Sequence, residues 1–160
     1  MSIAVYPGSF DPITKGHLDV IERSSHIFDT LVVVIMENSK KKTSFSQEER
    51  YRMIQKCCSH LTNVRIEIGS GLTVDYAQAI GANVLIRGIR AISDYEYELS
   101  QASANQMLNP GIETLFMIAR PQYSFISSSM AKEIARYGGD VSGCIPCAIY
   151  DQFIEKFNER

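Results

Sequence analysis

Four stretches of this chain gather side chains suited to holding phosphate. PGSFDPITKGH, at 7–17, sets Ser9 and a lone histidine, His17, about a turn in which Pro7 and Gly8 permit a tight backbone path. ENSKKKTSF, at 37–45, puts Lys40, Lys41 and Lys42 in a row. RGIR, at 87–90, holds Arg87 and Arg90 with Gly88 between them, and guanidinium groups form the paired hydrogen bonds that phosphate oxygens accept. RPQYSFISSSMAKEI, at 120–134, offers Ser127, Ser128 and Ser129 where one serine would cap a helix; the spare hydroxyls and amides make an anion cradle. Each stretch also has a plainer reading: a strand-to-helix turn capped by Thr14, a solvated lysine loop, a redundant cap. Whether they act together depends on the elements that carry them.

Short β-branched or apolar runs at 2–6, 31–36, 64–68, 83–87 and 114–119 read as strands. Helical spacing separates them. Leu18, Ile21 and Ser25 share one face; Tyr51, Ile54 and Cys58 follow a capping box made by Ser46 and Glu49. A third helix is expected after Thr73, a fourth from about Asp94 to Leu108, a fifth near Ser128, and an amphipathic one over AIYDQFIEKFNER at the C-terminus, with the helical segment beginning at about 147. Five nearly continuous apolar strands alternating with helices imply a single α/β domain over 1–160, a doubly wound parallel five-stranded sheet covered on both faces. In such sheets ligands bind beyond the carboxyl ends of the strands, where the strand order reverses. All four stretches directly follow strands. The fold would therefore bring them to one edge.

Within the first stretch His17 is the informative residue. It shares a helical turn with Gly16, a poor helix former, and a histidine there can donate to a phosphate oxygen and become more cationic as negative charge grows. His26 and His60 have no such setting and are expected to be solvated. Neither GxGxxG nor GxxxxGK[ST] occurs, so a bound nucleotide would be held by another scheme. Arg87 and Arg90 are expected on a glycine turn at the end of the fourth strand.

Composition narrows the setting. A length of 160 residues suits one domain with a real core, and 45% apolar with 21% charged residues excludes disorder and fibres. A net charge of −2 gives no general pull toward nucleic acid, so any anion site must be built from specific residues. No apolar run approaches the roughly 20 residues that span a bilayer, and the N-terminus lacks a secretory pattern, so no membrane association and a cytoplasmic place are expected. The cysteines form a vicinal pair, Cys57 and Cys58, and CIPC, Cys144 to Cys147. Zinc would want two well-spaced pairs, and the vicinal residues are expected to point to opposite sides, so reduced structural thiols are expected.

Taken in order, GSFDPITKGH, NSKKKTSF, IRGIR, DYEYE and YSFISSS resemble the bacterial phosphopantetheine adenylyltransferases, small enzymes of the nucleotidyltransferase superfamily, over about residues 3 to 142. The TxGH form, Thr14 to His17, stands where many superfamily relatives carry HxGH. The resemblance implies a Rossmann-like nucleotidyltransferase fold. It implies transfer of the adenylyl group of ATP to 4′-phosphopantetheine, giving dephospho-coenzyme A and pyrophosphate by in-line displacement without a covalent enzyme intermediate. A phosphate monoester, with its second pKa of about 6, is largely ionised at neutral pH and needs no general base. The work left is to bring two polyanions together and stabilise charge at the α-phosphorus.

The resemblance also implies roles. Ser9, Lys41, Thr73 and Arg87 would hold phosphopantetheine, with His17, Lys41 and Arg90 catalytic. Ser9, Phe10, His17, Gly88, Ile89, Arg90, Glu98, Tyr123, Ser124, Phe125, Ile126, Ser127, Ser128 and Ser129 would form the ATP site. Magnesium would be bound mainly through ATP phosphates with no dedicated protein metal site, coenzyme A would be a feedback ligand, and the assembly would be a homohexamer. The chain departs from the usual family pattern at Ser9 (commonly threonine), Tyr123 (tryptophan), Ser100 (glutamine) and Ala131 (valine), none of which removes a charge from the proposed centre. Another cytidylyl- or adenylyltransferase of the superfamily, a nucleotide sensor without chemistry, and a thiol oxidoreductase using Cys144 and Cys147 are the competing readings.

Overall fold

A computed structural model describes residues 1–158. Its five strands are β1 (Ile3–Gly8), β2 (Thr30–Met36), β3 (Val64–Gly69), β4 (Val84–Ile89) and β5 (Glu113–Ile118). Between and after them come α1 (Lys15–Ser25), α2 (Gln47–Cys57), α3 (Thr73–Ala79), α4 (Ile92–Leu108), α5 (Ser128–Arg136) and α6 (Tyr150–Asn158). All pairings are parallel, in the order β3-β2-β1-β4-β5. The expected doubly wound single-domain α/β sheet is what forms. The last two residues of the expected C-terminal helix lie outside the described residues.

Alternation along the strands divides the core. Ala4, Tyr6, Leu31, Val33 and Ile35 face one layer with residues of α1, α2, α5 and α6; Val5, Val32, Val34 and Leu85 face the other with Val74 and Ala77 of α3. Leu31–Ile35 are buried throughout, as expected of an inner parallel strand, whereas the edge strands β3 and β5 are half-buried or exposed at every residue but Gly69. Several boundaries differ from expectation. β4 continues through Gly88 and Ile89, so RGI is strand and not a glycine turn. α4 begins at Ile92, and Thr73 opens α3 behind an N-cap at Leu72. Cys57, the last residue of α2, and Cys58, its C-cap, are both buried in the same core cluster.

The strand order reverses between β1 and β4, and here the ladder is short. Only Ala4 with Val84 and Val5 with Leu85 are in register, while β1 pairs with β2 from Ile3 to Gly8. Beyond Val5 and Leu85 the two strands part. A cleft opens at their carboxyl ends, at the topological switch point.

The C-terminal helix braces one wall of this cleft. Phe153 is fully buried, its ring stacked 6.2 Å from that of Phe45, at the end of the lysine stretch, and 4.9 Å from Phe157. Phe153→Ala is expected to lower stability by about 3–5 kcal/mol, the usual range for emptying a buried phenylalanine site, measured by denaturant unfolding. A loss below about 1 kcal/mol would mean that α6 does not brace this wall.

Candidate active site

A cavity of about 840 Å3 fills the cleft. Its wall takes residues from behind every strand: Ser9, Phe10 and His17 after β1, Lys41 after β2, Thr73 after β3, Arg90 after β4, and Tyr123, Ile126 and Ser127–Ser129 after β5. Arg87, Gly88 and Ile89 line it from within β4, and Glu98 from α4. Of the residues singled out in the sequence, Lys40, Ser124 and Phe125 are not brought in. The Ser124 hydroxyl donates to the Pro121 carbonyl at 2.9 Å within a 3-10 turn, and Phe125 is exposed.

Thr14 caps α1 through a reciprocal box in which the third residue is His17. The His17 amide donates to Thr14 Oγ1 at 3.3 Å, and the Thr14 amide donates to His17 Nδ1 at 3.0 Å. Because a backbone N–H can only donate, Nδ1 must accept, and the ring proton sits on Nε2. Burial, with Arg90 and Arg87 near, pulls the imidazole down to about 4. At neutral pH His17 in the free protein is thus a neutral donor, in keeping with the expected donation to a phosphate oxygen, and carries no charge before a ligand arrives. Phe10 packs edge-on between Tyr6 and His17, with centroid distances of 5.4 and 5.1 Å. Its φ of 47° lies in the left-handed region that favours glycine, a strain that clusters at functional sites. Gly8 makes room for that ring: a Cβ there would meet Phe10 carbons at 3.0 Å.

The two arginines are gripped alike. Arg87 Nε and Nη2 donate to the two oxygens of Glu98, both at 2.7 Å, and Nη1 donates to the Pro7 carbonyl at 2.9 Å. Arg90 Nε and Nη2 donate to the two oxygens of Asp94 at 3.0 and 3.2 Å, and Nη1 donates to the Ile126 carbonyl at 2.8 Å. Each guanidinium carries five N–H groups, so two remain on each for a ligand. Burial works against the Arg87 charge, but Glu98 more than offsets it and raises the guanidinium further. For Asp94 burial pushes upward, and the Arg90 guanidinium and amide hold the carboxyl below its ordinary range.

Asp94 and Glu98 lie one helical turn apart on α4, so one helix face fixes both arginines. Glu98, which alone could pass for a solvated charge, is the buried residue of α4. Asp94 was missed in the sequence, although the DYEYE spacing carried the signal: two acids four apart, behind two arginines three apart.

The serines of the fourth stretch are divided among tasks. Ser127 caps α5, its hydroxyl accepting from the Met130 amide at 3.1 Å, and Ser128 Oγ donates to the Pro12 carbonyl at 2.8 Å. Ser129 lines the cavity without a side-chain hydrogen bond among the described residues. Asp11 and Lys132, also absent from the sequence reading, form a 2.7 Å ion pair at the cavity wall. No signal nearer than 121 positions apart connects them. The thiols lie elsewhere: Cys57 and Cys58 are each pushed up to about 12 by burial, Cys144 is raised by burial as well, and only Cys147 is exposed. None lines this cavity.

Between about pH 4 and 6.5 the unfolded chain protonates His17 while the folded chain does not, so the unfolded state binds more protons. Stability from this group is complete above about 6.5 and lost progressively as pH falls toward about 4. Stability relative to His17→Gln should therefore decline across that window in paired denaturant titrations. A flat difference would mean that the imidazole is not held neutral.

A family model described as cytidylyltransferase-like matches residues 5–134. Two relatives named phosphopantetheine adenylyltransferase align over nearly the whole chain. That of Finegoldia magna is 49% identical over 156 residues, covering 98% of this chain and 96% of its own, and that of Heliobacterium modesticaldum is 48% identical over 159 residues, covering 99% and 95%. In fold, the chain superimposes on the nicotinic acid mononucleotide adenylyltransferase of Plasmodium falciparum, solved in complex with NaAD. The TM-score is 0.70 at 17% identity, covering 99% of this chain and 95% of that one. A sheet parted at its switch point over a cation-lined cavity, and near-half identity from end to end, place this chain in the cytidylyltransferase-like family, among the phosphopantetheine adenylyltransferases.

Proposed function

We propose that this chain transfers the adenylyl group of ATP to 4′-phosphopantetheine, releasing pyrophosphate and giving dephospho-coenzyme A, a step of coenzyme A biosynthesis. The observation that carries the reading is the convergence of His17, Lys41, Arg87, Arg90 and Ser127–Ser129 on one cavity at the switch point, in a chain whose relatives bear that enzyme's name.

An oxygen of the acceptor phosphate attacks the α-phosphorus of ATP in line. The new P–O bond forms as the bond from the α-phosphorus to the bridging oxygen of pyrophosphate breaks, with no covalent enzyme intermediate. Because the acceptor is already ionised, the site needs donors and charge more than a base. Ser9, Lys41, Thr73 and Arg87 hold and orient phosphopantetheine. His17, through Nε2–H, donates to the α-phosphate, where charge grows in the transition state; phosphate charge opposes the pull of Arg90 and Arg87 on its proton. Arg90 and the amides at the start of α5 receive the departing pyrophosphate. Phe10, Gly88, Ile89, Tyr123 and Ile126 wall the nucleotide, while Glu98 serves the acceptor side by holding Arg87.

Among the described residues no group of three or more His, Cys, Asp or Glu could hold a metal ion, and Asp11, Asp94 and Glu98 are each engaged by a cation. Magnesium carried on the triphosphate oxygens, its shell largely water, would supply further neutralisation there.

The wider setting belongs to the same proposal. The enzyme works in the cytoplasm; no helix among the described residues is long and apolar enough to cross a membrane. It assembles as a homohexamer, which would cover exposed side chains such as Ile68, Leu72, Tyr95, Leu99, Leu115 and Ile118. Coenzyme A, built on the product's skeleton, enters the same cavity as a feedback ligand.

Incubation with ATP and 4′-phosphopantetheine should yield dephospho-coenzyme A by mass spectrometry; if other phosphate acceptors alone are adenylylated, another superfamily transferase is at work. His17→Ala should lower turnover by roughly 10²- to 10³-fold with a smaller effect on ATP binding, and unchanged turnover would remove its assigned role. Arg87→Ala should raise the KM for phosphopantetheine selectively, read by steady-state kinetics; a rise confined to ATP would exchange the two subsites.

A further inference from the structure

Asp11 has no part in the roles above, yet three segments meet at its carboxylate. It is buried; Oδ1 accepts from the Phe45 amide at 2.9 Å, and Oδ2 accepts from the Ser44 amide at 2.9 Å and from Lys132 Nζ at 2.7 Å. Burial pushes the carboxyl upward, but Lys132 and the two amides more than offset this and hold it below the ordinary range, so it stays ionised. The turn after β1, the end of the lysine stretch and the second turn of α5 are thereby joined through one group. Arg50 adds a second tie, donating from Nη1 to the Ser9 carbonyl at 2.7 Å and from Nε to the Phe45 carbonyl at 3.2 Å.

Apart from Phe45, which α6 and Arg50 also hold, the lysine stretch has little else to place it. Lys40, Lys41 and Lys42 are exposed, and among the described residues their side chains form no hydrogen bond or ion pair. Their backbone bonds are local: the Lys40 amide donates to Asn38 Oδ1 and the Lys41 amide to the Asn38 carbonyl, each at 3.0 Å. One end leaves β2, where the Glu37 amide donates to the Gly69 carbonyl at 3.0 Å; the other ends on Asp11. Helix α5 does not share this dependence, since Ser128 Oγ ties it to the Pro12 carbonyl at 2.8 Å.

We propose that Asp11 is a positioning residue for the acceptor side of the cavity: through the Ser44 and Phe45 amides and Lys132 it fixes the lysine stretch against α5, and so sets where Lys41 meets the acceptor phosphate relative to the Ser127–Ser129 cradle. A carboxylate suits the task because it accepts from two amides and a cation at once. An amide side chain in its place would lose the ion pair and at least one of these bonds. The kinetic consequence rests on the adenylyl-transfer reading; the structural consequence does not.

Asp11→Asn tests both. Amide hydrogen exchange across 38–45 should speed by about tenfold or more while the strands keep their protection. The KM for phosphopantetheine should rise by about tenfold with the KM for ATP within about twofold. Unchanged exchange across 38–45 would overturn the proposal, as would a fall in kcat with both KM values kept, the mark of a smaller folded fraction. Lys132→Met, which leaves both amide bonds to Asp11 and the Ser128 anchor, should move exchange in the same direction by about threefold, and it decides the matter alone if Asp11→Asn does not fold. If the native chain makes no dephospho-coenzyme A, the adenylyl-transfer reading fails, and the exchange result alone upholds or overturns the role of Asp11.

Discussion

Cations placed close together to hold a polyanion repel one another before it arrives, and around this cavity each of three is met by a carboxylate. Arg87 is paired with Glu98, Arg90 with Asp94 and Lys132 with Asp11, at separations of 2.7, 3.0 and 2.7 Å. Arg87, half-buried, would be strongly unfavourable without a partner, and a guanidinium paired but loosely held would have to be ordered each time a ligand bound. Two-toothed pairing plus one backbone carbonyl removes that freedom while leaving N–H groups for a ligand. The positive field is thus organised in advance, which is what stabilising charge in a transition state requires.

That pairing explains the shape of the surrounding fold. Asp94 and Glu98 can hold two arginines because α4 offers them one turn apart, and the arginines can be reached because β4 carries Arg87 beside the parted end of β1. In place of the missing ladder beyond Val5 and Leu85, the Arg87 side chain bonds the Pro7 carbonyl across the gap. The opening that admits ligand and the residue that bridges it belong to one feature. Phe10, in its left-handed conformation, fills the base of the same gap against Tyr6 and His17.

The electrostatics also set what kind of group His17 is. Next to two fixed arginines in the cavity wall, the half-buried imidazole keeps its proton on Nε2 and no second one, so in the proposed reaction it would meet phosphate as a hydrogen-bond donor. Charge is left to the arginines and lysines, and direction to the histidine, whose ring is aimed by the capping box at the start of α1. With an acceptor that arrives ionised, this division would supply what the proposed adenylyl transfer needs without a base.

What the sequence by itself determined is what local patterning controls. Strand runs, helical spacing, the Ser46–Glu49 box and the alternation that makes a parallel sheet depend on neighbours within a few positions, so the doubly wound fold and the convergence of post-strand stretches were legible, and the motifs in order pointed to the right family. Tertiary structure decided the rest. That Gly88 is strand and not turn follows from its pairing with Met117; that His17 is neutral follows from burial beside Arg90; that Ser124 and Phe125 face away follows from the 3-10 turn before them. Asp11 and Lys132 meet across most of the chain, a pairing that no local pattern encodes, because the energy of an ion pair depends on distance and burial in the folded state and not on separation in sequence.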